Sequence, residues 1–241
     1  MKRIERQHLK ENELLHLAES ARQALESKGN QLGKIAIAVG LIAVLAIGYA
    51  VWRNRVQGRA GTLLAEAMAV QDARVGPPQA PGTPASGPSY PTEKDKNQAL
   101  LAKFKLVADQ FPGTDAGIFA RYREAGAQMA LGNTKEAITA YEQVIASGGD
   151  SLYVQMARLG LAEAQARGGD FDKAIEGFKI LSARTDGPLP IDGILMQLAR
   201  TYRDAGKTAD AQQTLDRIVK EFPESQYVSD AQRELTTMKK S

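Results

Sequence analysis

The chain has 241 residues, enough for one or two domains, and 31 Lys/Arg against 28 Asp/Glu leave a formal net charge of +3. The excess lies at the front: residues 1–34 hold seven bases and five acids, Arg53 and Arg55 add two more, and the remainder carries 22 bases and 23 acids. A body so nearly neutral excludes the clustered basic face of a nucleic-acid-binding domain, and the absence of cysteine excludes disulfides, thiolate metal sites, cysteine nucleophiles and the lipid attachment of a lipoprotein.

Residues 1–34 form a charged leader, in which ENELLHLAESARQALESK sets Leu14, Leu17, Ala18, Ala21 and Leu25 on one helical face. That face suits a membrane surface or a partner helix, and its narrowness equally suits a solvated helix. His8 and His16, the only histidines, lack a third ligand and read as surface residues. Residues 35–52, IAIAVGLIAVLAIGYAVW, are eighteen apolar residues without a charge. As a helix they span roughly 27 Å, close to the hydrocarbon thickness of a bilayer. Lys34 and Arg53 bracket the run, and Tyr49 and Trp52 stand where an interfacial aromatic belt belongs. The run is too long, and its leader too acidic, for a cleaved signal peptide. It reads as an uncleaved anchor. Arg22, Lys28 and Lys34 balance Arg53, Arg55 and Arg59 across it, so only the basic excess of the whole leader favours a cytoplasmic N-terminus.

Beyond the anchor the chain repeats itself. Gly132, Gly169 and Gly206 are 37 residues apart, as are Ala137, Ala174 and Ala211; Phe111-Pro112 and Phe222-Pro223 are separated by three such periods. Ala120, Arg121, Ala125, Ala127, Gln128, Gly132, Ala137 and Ile138 recur as Ala157, Arg158, Ala162, Ala164, Gln165, Gly169, Ala174 and Ile175. A period of this length marks a solenoid. Each unit reads as helix A, a Gly that accepts the left-handed conformation, and helix B. Asn133, Asp170 and Thr208 are expected to cap helix B. Small Ala137, Ala174 and Ala211 allow close helix approach, Tyr141, Phe178 and Leu215 fill the space between units, and Pro112 and Pro223 stop the second helix. About nine helices are expected after the anchor.

The first unit is split. Residues 53–75 contain its helix A, with Leu64, Ala67, Met68 and Gln71 at helical spacing, and residues 93–110 its helix B, with Phe104. Between them GPPQAPGTPASGPSYPT, residues 76–92, holds six of the ten prolines and is expected to be an extended, mobile insertion. Residues 93–241 carry the remaining repeats, with a terminal capping helix signalled by Tyr227, Val228, Ala231 and Leu235.

This pattern resembles the tetratricopeptide repeat, best in the last unit through Leu198-Ala199, Tyr202, Gly206, Ala211 and Pro223. The fold class is therefore all-α: a single N-terminal transmembrane helix followed by a tetratricopeptide-like solenoid of helical hairpins. The period is 37 rather than 34, and Arg121, Glu124 and Arg158 stand where the family is apolar. The resemblance implies a concave groove lined from helix A by Phe119, Tyr122 and Met129, then Met156, Leu159 and Glu163, then Met196, Arg200 and Arg203. Three methionines with two aromatics would make it adaptable. Met156 and Met196 are read as equivalent faces outside the core positions Leu161 and Leu198, while Phe119, Tyr122 and Met129 become core if their helix is rotated. No catalytic, cofactor-binding or metal-ligating constellation is found, and no enzyme activity is expected.

The whole plan resembles the ancillary subunit family of the bacterial SecYEG translocon: a leader with HLKENELL, one anchor, then repeats with FPGTDAG and FPESQY. That resemblance implies an inner-membrane, single-pass protein, N-terminus cytoplasmic and repeats periplasmic, linking translocon subunits to membrane-anchored chaperones of the peptidyl-prolyl isomerase type. The FP-x-S-x-Y phrase also occurs in repeat proteins of outer-membrane assembly, which are lipoproteins, and of cell division, which are soluble. A chaperone-like binder of unfolded exported chains is the alternative reading, with a scaffold in envelope assembly or cell division beside it.

Overall fold

The computed structural model describes residues 29–77, 88–147, 149, 151–184 and 187–238. The leader helix and the centre of the Pro-rich insertion lie outside the described residues. The chain divides into two compact units, residues 1–56 and 57–241.

One helix, α1 (Gly29–Gln71), runs through the boundary. It is long and apolar enough to cross a membrane, and the side chains described along its apolar run are exposed, from Ile35 to Trp52. Apolar surface on this scale is stable only in lipid or against another protein. Tyr49 and Trp52 lie together on the helix, ring centroids 5.9 Å apart. The sequence suggests a separate repeat helix from residue 53; the structure corrects this, because no proline or capping residue interrupts the helix there. Gly58 and Gly61 do not adopt positive φ, so they do not break it either. Ala60, Ala67 and Val70 then turn inward, and α1 itself supplies the first helix A.

A two-residue parallel pair follows, β1 (Arg74–Val75) with β2 (Ser89–Tyr90). Gly76 N–H donates to the Tyr90 carbonyl at 2.9 Å, and Lys96 Nζ to the Ala73 carbonyl at 2.8 Å. Both ends of the insertion are thus pinned, which the proline content alone did not suggest. The hairpins continue as α2 (Glu93–Gln110), α3 (Asp115–Leu131), α4 (Thr134–Ala146), α5 (Leu152–Arg167), α6 (Phe171–Ser182), α7 (Ile191–Asp204) and α8 (Thr208–Glu221), closed by α9 (Val228–Met238). Among the described residues there are nine helices. Eight follow α1, and its C-terminal part makes the ninth repeat helix.

The 37-residue period is a period of hydrogen bonds. Gly132, Gly169 and Gly206 have φ of 83°, 85° and 75°. In each turn the Gly N–H donates three residues back, to Met129, Ala166 and Arg203, and the next N–H five back, from Asn133 to Gln128, Asp170 to Gln165 and Lys207 to Tyr202. This pairing satisfies the last carbonyls of helix A with two residues of turn. The expected side-chain caps are absent: Asn133 and Asp170 make no capping bond, and Lys207, not Thr208, precedes α8. The Gly turn leaves these residues at φ near −82° to −86° and ψ near 65°, outside the extended geometry that aims a capping oxygen at the helix. Side-chain caps occur instead at Thr92, Thr114 and Ser151.

Three buried clusters line the solenoid: Phe104 and Val107 with α1 and α3, Tyr141 and Val144 with α3 and α5, and Phe178, Leu195, Leu215 and Ile218 with α5 to α9. Ala137, Ala174 and Ala211 are fully buried, as close helix approach requires. Gly160 carries the same logic further, since a Cβ there would lie 2.4 Å from a Tyr141 ring carbon. Gly160→Ala is therefore expected to cost about 1–3 kcal/mol by overpacking. Adding Tyr141→Leu, after Leu215 at the same place in the last unit, should recover most of the loss in thermal melts. If the single variant melts like the parent, the Tyr141 ring is not held where the structure has it.

Candidate functional site

The 37-residue register stacks helix A of α3, α5 and α7 into columns: 119/156/193, 122/159/196, 126/163/200 and 129/166/203. These columns hold all nine residues singled out from the sequence.

At the first column Phe119 is half-buried, edge-on to Phe104 (6.4 Å) and against Tyr153 (5.1 Å). Met156 is half-buried and packs on none of the three clusters among the described residues. The third residue is Gly193, whose would-be Cβ lies 3.5 Å from the Tyr227 ring. Tyr227, from the segment leading into α9, fills the space that Phe119 and Met156 occupy in their own units.

The second column overturns one expectation. Tyr122 and Leu159 are half-buried, but Met196 is 1% exposed and belongs to the last cluster with Leu198 and Ala231. Met196 is core, not groove. In register it matches Leu159 and not Met156, and α9 joins the same cluster, so the end unit buries what inner units leave half open. Tyr122 leans on Tyr141, ring centroids 6.0 Å apart. Burial pushes the Tyr141 phenol up to about 12 and raises that of Tyr122 as well.

In the remaining columns charge dominates. Burial raises the Glu163 carboxyl above the usual carboxylate range, against the opposing pull of Arg167. Arg200 Nε donates to Glu234 at 3.1 Å and Arg203 Nη1 to the other oxygen of the same carboxylate at 3.1 Å, with Arg203 also on Asp204. The capping helix thus occupies both arginines. Met129 is half-buried against the middle cluster, so the rotated-helix reading holds in part for Phe119, Tyr122 and Met129: each touches core on one side.

Two of the three family-breaking charges, Arg121 and Glu124, are resolved against each other. Glu124, buried to 5% exposure, accepts from Arg121 at 2.5 Å, and Arg121 also reaches Asp109. The hydrogen bond from Lys105, followed by that from Arg121, holds the Asp109 carboxyl below its ordinary range. The pair converts an apolar helix A position into a charge-satisfied one.

Sequence reading missed Tyr153 and Glu234, and took Tyr227 only as a mark of the capping helix. The i,i+4 pair Asp230 and Glu234, opposite Arg200 and Arg203 in the preceding hairpin, was the available signal for Glu234. Tyr153 and Tyr227 stand two 37-residue periods apart, but Pro190 at the same place in the unit between them hides the repeat.

The family comparison agrees with this architecture. Residues 29–187 match the model of a tetratricopeptide repeat-like domain, and residues 182–241 match that of an outer membrane lipoprotein family. No curated protein matches. Among solved structures, a substituted form of a Podosopora anserina putative kinesin light chain with nearly identical TPR-like repeats is 21% identical with a TM-score of 0.45; 51% of this chain and 65% of that chain are covered. A second structure of that light chain is 16% identical, TM-score 0.41, covering 69% of this chain and 86% of that one. YrrB, described as a TPR protein with an unusual peptide-binding site, is 15% identical, TM-score 0.30, covering 57% and 84%. With its repeat turns, its buried alanine column and a family match over residues 29–187, the chain belongs to the tetratricopeptide repeat-like domain family.

Proposed function

We propose that the protein is a single-pass adaptor of the bacterial inner membrane, its repeats on the periplasmic side, joining translocon subunits to membrane-anchored chaperones. The observation that carries this reading is α1, whose exposed apolar segment continues without interruption into the first helix of a protein-interaction scaffold. The basic excess of the leader supports a cytoplasmic N-terminus. Residues 182–241 match a lipoprotein family, but the chain has no cysteine to carry the lipid, so the helix takes over the anchoring role. Phe119, Tyr122, Met129, Met156, Leu159 and Glu163 form the partner face, while Arg200 and Arg203 reach a partner only by exchanging Glu234.

A second reading, a chaperone-like binder of unfolded exported chains, is favoured by Met156, a half-exposed methionine outside the buried clusters. A photocrosslinker at Met156 or Leu159 separates the two. Stoichiometric adducts with translocon subunits support the adaptor, a ladder of exported chains supports the binder, and adducts with neither remove both. Topology is tested on the same cells: Lys135→Cys, exposed on α4 in a cysteine-free chain, should react with an impermeant maleimide in intact spheroplasts. Labelling only after lysis would reverse the orientation.

A further inference from the structure

A cavity of about 420 Å³ opens between α5 and α6, lined by Arg158, Leu161, Gln165, Gly177, Ile180 and Leu181. It lies on a different face of α5 from the columns through Met156, Leu159 and Glu163. A similar cavity between α3 and α4 holds Arg121, Gln143 and Val144, one period before Arg158, Ile180 and Leu181. There Arg121 is satisfied within its own unit by Glu124 and Asp109. One period on, those two carboxylates are replaced by Leu161 and Ala146. Arg158 keeps the guanidinium and loses both partners: among the described residues it makes no ion pair or side-chain hydrogen bond. A half-buried guanidinium beside an apolar wall is stabilised by a carboxylate brought from outside. The wall is open as well. Polar Gln143 gives way to Ile180, which at 58% is the most exposed large apolar side chain beyond the anchor among the described residues. Leu161 is half-buried, and Gly177 stands where the flanking units carry Ala140 and Thr214.

The same face presents what would fill it. Glu176 lies one helical turn before Ile180 on α6, is exposed, and has no ion-pair partner among the described residues. A carboxylate and an isoleucine at i,i+4 are the complement of a free guanidinium beside an open apolar wall. Such a face is self-complementary, the condition for an isologous two-fold contact. We propose that a second copy of this chain docks here, Ile180 of each packing against Ile180 and Leu161 of the other, and Glu176 of each pairing with Arg158 across the axis. An apolar centre flanked by two symmetric ion pairs fixes register and orientation. The contact is small, and its strength rests on α1 confining both copies to one membrane, where their effective concentration is high.

The chain has no cysteine, so single cysteines report the contact. Full-length Ile180→Cys in membranes, oxidised with copper phenanthroline, should form a disulfide-linked dimer about tenfold faster than Lys135→Cys on α4. Glu176→Arg and Arg158→Glu should each slow the Ile180→Cys reaction about tenfold, as expected for an interface charge pair. Combining the two re-forms the pair with its charges exchanged and should restore the rate to within about twofold. Glu176→Arg, at an exposed position, decides the matter if Arg158→Glu melts early. Ile180→Cys reacting no faster than Lys135→Cys, linking instead to a different protein, or dimerising regardless of Glu176→Arg would overturn the proposal. Carbonate extraction of the same membranes tests the anchor separately: an extractable chain removes the anchor, whereas a retained chain that fails to crosslink removes only the contact.

Discussion

Met196→Lys is expected to unfold the end of the solenoid, whereas Met156→Lys leaves it folded. Met196 is among the largest fully buried side chains, in the cluster shared by α5 to α9. Lysine there loses the methionine's packing and places an ammonium inside an apolar cluster. Core truncation alone costs about 2–5 kcal/mol, and an unpaired buried charge adds to it. A domain of this size is stable by about 5–15 kcal/mol, so one such change removes much of the total. Met156 is half-buried outside the clusters, and its long aliphatic stem can be replaced by that of lysine with the ammonium in water, at a cost within about 1 kcal/mol. Thermal melts of the two full-length variants check the contrast. Equal loss in both would mean that Met156 is also core and does not belong to the partner face.

Gly117→Ala should be the most damaging single-methyl change in the molecule. A Cβ on Gly117 would lie 1.8 Å from the carbonyl oxygen of Phe111. That oxygen already accepts from Thr114 N–H at 3.1 Å and from Thr114 Oγ1 at 2.9 Å, while Thr114 Oγ1 accepts from Gly117 N–H at 3.0 Å. The methyl therefore meets backbone held by three hydrogen bonds, not a side chain that can rotate away. The expected loss is about 3 kcal/mol, the upper part of the overpacking range. Gly126→Ala on the same helix has open space at its Cβ and should gain about 0.5–1 kcal/mol from helix propensity. At roughly 2–4 °C per kcal/mol for a chain of this size, the two substitutions should move the melting temperature in opposite directions. A rise for both would show that the FPGTDAG turn is looser than its geometry.

Turns were the most legible part of the molecule, because a residue that must adopt positive φ is chemically distinctive. Gly132, Gly169 and Gly206 announce three hairpins, Ala137, Ala174 and Ala211 the close helix approach, and IAIAVGLIAVLAIGYAVW a helix long and apolar enough to cross a membrane; each is a local steric or solvation requirement that few residue types meet. The side-chain caps failed on the same ground that the turns succeeded: the Gly turn sets the backbone of Asn133, Asp170 and Lys207, and with it where a cap could point.

Membership of the partner face was decided only in three dimensions. Met156 and Met196 look alike in a sequence, but one stands in the column where Gly193 makes room for Tyr227, and the other in the column that the end of the solenoid buries. Arg200 and Arg203 look like free groove cations until α9 brings Glu234 against both. Arg123 looks like any surface base until Phe104 and Gln71 fix it in a cavity. Hairpins and anchor follow from the sequence because they depend on residues close along the chain. Exposure and charge pairing depend on which neighbour arrives from thirty or fifty residues away, and that is settled by packing.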